Sequence, residues 1–102
     1  NILNFGRFIE AFLSIKAERM NLCGGTLNML IHGCKTDESL AITVDGKNVT
    51  VTPTDAKPDT ELEHRDAIRL LTGLYSKERN ELPAFAQGWF PLDFFAAGLD
   101  NV

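Results

Sequence analysis

Residues 40–52 read LAITVDGKNVTVT, and this stretch decides the fold. Two runs rich in β-branched side chains, 40–44 and 48–52, meet through Asp45-Gly46, a pair that tolerates the positive φ of a tight turn, so a β-hairpin is predicted. Just upstream, residues 26–32 alternate, with Leu27, Met29 and Ile31 on one side and Leu30 the exception on the other, which predicts a third, half-buried strand. Before it, Phe5, Phe8, Ile9, Phe12, Leu13 and Ala17 recur every three or four residues. That spacing predicts an amphipathic helix over residues 4–20, its aromatic-rich face inward and Lys16, Glu18 and Arg19 facing water. Cys23, Gly24 and Gly25 break the helix and read as a turn.

Downstream of the hairpin, Pro53 and Pro58 mark residues 54–59 as loop. Residues 60–63 predict a short strand leading into a helix over 65–74, with Ile68, Leu70 and Leu71 buried and Gly73 suited to the helix end. Residues 76–82 are polar and read as loop or a single turn, and 83–88 lead to an aromatic tail. The order helix, three strands, strand, helix, tail predicts an α+β domain, with one largely antiparallel sheet and helices packed on one face.

Bulk properties narrow the functional classes. A chain of 102 residues fits one domain and buries roughly 65% of its unfolded surface. Its 44% hydrophobic and 24% charged residues are those of a folded domain. The net charge is −4 and the ten Lys and Arg are scattered, so the basic stripe that nucleic acid requires is missing and no nucleic-acid partner is expected. Apolar runs fall far short of the ~20 residues that span a bilayer, and no charged-then-apolar leader precedes them, so a membrane location is not expected. Two cysteines, Cys23 and Cys34, lack a second pair or a histidine at ligand spacing, which points to reduced cytoplasmic thiols and no metal site. The chain opens at Asn1 on an apolar segment without an initiator Met, as a piece of a longer protein does.

The residues that most often carry chemistry give little here. His32 sits on a strand and His64 before a helix, and no nucleophile or carboxylate is tied to either by spacing, so both read as surface or capping histidines. Asp37, Glu38, Asp59, Glu61, Glu63 and Asp66 lack the glycine-bearing pattern of a calcium loop and read as solvated acidic surface. Asn48-Val49-Thr50 matches a glycosylation acceptor by chance in a chain without a secretion signal. The tail differs. Trp89, Phe90, Pro91, Leu92, Phe94, Phe95 and Leu99 crowd a chain end, where sequences are normally polar, so the segment must dock on its own core or on a partner.

Three segments together carry a family resemblance. Residues 1–16, residues 27–33 with the Asp45-Gly46 hairpin, and the closing pattern from Trp89-Phe90-Pro91-Leu92 through Leu99-Asp100-Asn101-Val102 form one pattern, to which Leu71-Thr72-Gly73 adds. This pattern resembles the sterol-carrier-protein-like C-terminal domain of bacterial GNAT-type N-acetyltransferases, including those related to the enhanced intracellular survival family. The likeness covers nearly the whole chain. It implies a domain attached to upstream acetyltransferase domains of the same chain, which bind acetyl-CoA and acetylate a small amine; this domain holds no cofactor itself. The resemblance further implies that the domain shapes the acceptor pocket and brings the Val102 carboxylate to the active site as a catalytic group. Trp89, Phe94 and Phe95 then act as substrate-side anchors, and homo-oligomerisation stays open. Asp93 departs from the family's uncharged run and implies a more exposed face there. The alternative is a free-standing lipid carrier with an apolar tunnel, which the short 76–82 segment does little to enclose.

Overall fold

The computed structural model describes residues 5–33, 35–72 and 77–90. Eight elements succeed one another: α1 (Phe5–Arg19), β1 (Gly25–His32), β2 (Asp37–Asp45), β3 (Asn48–Pro53), β4 (Thr60–Glu63), α2 (His64–Thr72), α3 (Lys77–Asn80) and α4 (Ala84–Gln87). The hairpin forms where the sequence places it. Gly46 takes φ +65°, and a Cβ built there meets nothing within 4 Å, so the backbone angle rather than crowding favours glycine. The ladder from Asp45↔Asn48 to Leu40↔Pro53 is unbroken.

The four strands form one sheet in the order β3-β2-β1-β4. The β1–β2 and β2–β3 pairs are antiparallel, so the sheet is largely antiparallel, as the sequence predicts, and the parallel β1–β4 pair makes it mixed. The cause lies in the crossing segment. Pro53 pairs with Leu40, Leu40 with Met29, and Met29 with Thr60, so the chain leaves β3 and enters β4 at one level of the sheet. Hydrogen bonds from Thr54 N–H to Ser39 O (3.0 Å) and from Asp59 N–H to Asn28 O (2.7 Å) pin the two ends of the crossing. The Asp59 carboxylate also accepts the Asn28 N–H at 2.9 Å. Carried sideways without a reversal, the chain keeps the direction in which β3 was running.

Alternation gives the sheet two different faces. Leu27, Met29, Ile31, Leu40, Ile42, Val44, Val49 and Leu62 point into the core that the helices cover. The opposite face carries the row Thr26, Thr43, Thr50, with the first two hydroxyls 3.0 Å apart. α1 lies along β3, α2 lies against β4 and β1, and α4 lies against β1.

Two details of the helices depart from the periodicity reading. On α1 the buried set is Phe5, Gly6, Ile9, Leu13, Lys16 and Ala17, while Phe8 and Phe12 are only half-buried at its flank. Lys16, expected in water, is fully buried: position 16 lies on the arc between 9, 13 and 17, where a straight four-carbon stem fills space as a hydrophobe does. On α2 the buried residues are Ala67, Leu70 and Leu71, with Ile68 half-buried. α2 begins at His64, and Gly73 lies outside the described residues. The polar 76–82 stretch supplies one helical turn, α3, succeeded by the buried Leu82.

Candidate functional site

The tail begins at a tightly fixed point. Trp89 and Phe90 are sealed in the core, at 0% and 1% exposure. The Trp89 indole N–H donates to Cys23 O at 2.7 Å in the segment joining α1 to β1, which satisfies its single donor. At its other end the Trp89 carbonyl accepts from Lys16 Nζ at 2.9 Å. The same ammonium stands 5.0 Å from the centre of the Phe90 ring, within cation–π range. Burial pushes the Lys16 pKa down from 10.5 to about 8.

Around this anchor the turns are tied by side chains. Arg79 Nε donates to Gln87 O (3.0 Å), and Gln87 Nε2 donates to Leu82 O (2.9 Å), so α3 and α4 hold each other. Phe85 meets Trp89 edge-on at 5.5 Å. Gly25 belongs to the same packing: its φ of +154° is one that L side chains rarely adopt, and a Cβ there would lie 2.7 Å from the Phe85 ring, so β1 begins with glycine for both reasons. The sequence showed Gly24-Gly25 only as a turn; the second reason for Gly25 lies far along the chain, in Phe85.

Of the residues the tail reading singled out, Trp89 is thus a buried anchor. Phe94, Phe95 and Val102 lie outside the described residues.

Topology also builds a polar cluster that spacing did not reveal. His32 closes β1, where Nδ1 is 3.2 Å from an Asp37 carboxylate oxygen on β2 and Nε2 is 3.2 Å from a Glu61 carboxylate oxygen on β4. Hydrogen bonds to Glu61 and then Asp37 hold the imidazole above its ordinary pKa. Beside it, His32, Gly33, Glu63, His64 and Arg65 line an open cleft of about 350 Å³ where β1 and β4 end and α2 starts. His64 also packs on Phe5, ring centres 4.9 Å apart. The pairing His32↔Asp37 comes from strand register, which the sequence alone does not give.

Among the described residues no group of three His, Cys, Asp or Glu is placed to hold a metal, and no helix is long and apolar enough to cross a membrane. The interior gap bounded by Ile9, Met29, Ala67, Leu70, Leu71 and Phe90 has no room for a water molecule. Compared with known proteins, the chain matches no family model, no curated protein and no solved structure.

Proposed function

We propose that this chain is an accessory α+β domain of a cytoplasmic, acetyl-CoA-dependent N-acetyltransferase, whose own part is to position its carboxyl-terminal segment at the acceptor site for a small amine. The observation that carries this reading is the two-ended hold on Trp89, by Lys16 on the carbonyl and by Cys23 O on the indole N–H. A fixed starting point removes the freedom of the near end of such a segment, and that favours delivery of a catalytic group from a chain end. In this reading the Val102 carboxylate takes or relays the proton that the amine sheds before it attacks the thioester. A terminal carboxyl titrates near ~3.5 in water, so the cleft that receives it must be dry enough to raise that value.

Among the described residues, the gap bounded by Ile9, Met29, Ala67, Leu70, Leu71 and Phe90 is too small for a lipid chain, which lends the lipid-carrier alternative no support there. The test is made on the full-length gene product. Removing Asn101 and Val102, or adding a few residues after Val102, is expected to lower kcat by on the order of 100-fold while acetyl-CoA affinity stays unchanged. Normal turnover in both variants refutes the delivery of the carboxylate. The absence of any acetyltransferase activity in the unaltered protein refutes the whole reading.

A further inference from the structure

His32 sits where three strands meet side by side near the cleft: β1 carries it, β2 offers Asp37 and β4 offers Glu61, each at 3.2 Å. The two contacts use different ring nitrogens. An imidazolium has an N–H on both and satisfies both carboxylates together. A neutral imidazole has one N–H; its other nitrogen then turns a lone pair towards a carboxylate, and that contact becomes repulsive. We propose that His32 is a proton-operated tie, holding β2 and β4 to opposite sides of β1 when protonated and only one of them when not.

The tie matters because β4, only four residues long, runs straight into α2 at His64 without a connecting residue. The seating of β4 therefore sets the position of the cleft wall formed by Glu63, His64 and Arg65. Among the described residues, the charged and titratable groups around His32 are Asp37 from β2, Glu61 and Glu63 from β4, and His64 and Arg65 from α2. Within this set the carboxylates outnumber the guanidinium, so the surroundings favour the imidazolium. The double hold is complete below about pH 6.5 and falls to a single contact, shared between Asp37 and Glu61 by the two neutral tautomers, as pH rises through the higher folded-state value. Because all three side chains reach solvent, the effect is local, and salt weakens it.

Amide hydrogen exchange of residues 60–66, corrected for intrinsic rates and followed from about pH 5.5 to about pH 8.5, reads the tie directly. In the unaltered chain, protection of these amides is expected to fall about two- to fivefold across the His32 titration. Glu61→Gln should flatten that change, Asp37→Asn should retain it, and each should lower the His32 pKa seen in its ring proton shifts. His32→Gln should show no pH dependence. The proposal is overturned if His32 titrates at or below its ordinary value of 6.5, or if Glu61→Gln keeps the pH profile of the unaltered chain. Since Glu61 is exposed, its variant folds even if His32→Gln does not.

Discussion

Lys16→Met isolates what a buried ammonium does to this domain. The fall in pKa from 10.5 to about 8, at ~1.4 kcal/mol per unit, means that keeping Lys16 charged in the core costs about 3 kcal/mol relative to the unfolded chain. Methionine has nearly the same length and shape and removes that cost, but it leaves the Trp89 carbonyl without its 2.9 Å donor, a loss of roughly 1–3 kcal/mol. The two effects oppose each other, so at pH 7 the variant should be within about 2 kcal/mol of the parent, a small change for a core position. The pH profile separates them. Between pH 8 and 10.5 the unfolded lysine still binds a proton that the folded one has released, so the parent's stability must rise with pH in that window. The neutral amine still has N–H groups, so the bond to Trp89 survives deprotonation. Urea titrations followed by Trp89 fluorescence, at intervals from about pH 6.5 to pH 10.5, measure both proteins. Subtraction removes every other titrating group and should leave a rise of about 3 kcal/mol in the parent alone. Parallel profiles would show that Lys16 is not desolvated as its burial implies.

Two further outcomes come from the packing. Leu13, with no exposure, should lose about 2–5 kcal/mol on truncation to alanine, whereas the half-buried Phe12 should lose less, despite its larger ring; denaturation that ranks Phe12→Ala above Leu13→Ala refutes the placement of the α1 face. Gly25→Ala should cost more than ~1 kcal/mol, from its φ of +154° together with the Cβ that displaces Phe85, and should shift the Trp89 emission, while Gly46→Ala should cost ~1 kcal/mol from its φ alone and leave the emission unchanged. Equal spectra for the two glycine variants refute the contact with Phe85.

What the sequence revealed and what it hid divide along the range of the interactions. The hairpin is encoded within residues 40–52 themselves, because Asp45-Gly46 and the flanking β-branched runs need no distant partner to express their preference. α1 is legible as a helix, since periodicity is local, yet its buried face is turned from the expected one: Phe8 and Phe12 sit at its flank and Lys16 lies inside. A lysine assigned to water by its charge is inside because a carbonyl 73 residues later accepts from it. The parallel pairing of β4 depends on where hydrogen bonds at Ser39 and Asn28 pin the crossing segment, and no residue within β4 announces it. His32 read as a lone surface histidine for the same reason: Asp37 is close in sequence, but Glu61 arrives through the fold. The aromatic start of the tail was legible as something that must dock, and Trp89 does so; the partners that receive it, Cys23 O and Lys16, are ordinary residues in sequence terms.

The hold on Trp89 also orders events during synthesis. Lys16 and Cys23 are made early, but their partner is 73 and 66 residues later, so these contacts close loops that span most of the chain. Closing such loops is entropically costly and comes late, whereas the 40–52 hairpin forms within its own length. A nascent chain thus has its sheet, α1 and α2 before it has the aromatic residues that seal them together. Until residue 89 is available, Lys16 and the Cys23 carbonyl lack their partner and the core lacks Trp89 and Phe90, so a chain halted shortly before that point keeps apolar surface open to chaperones and proteases.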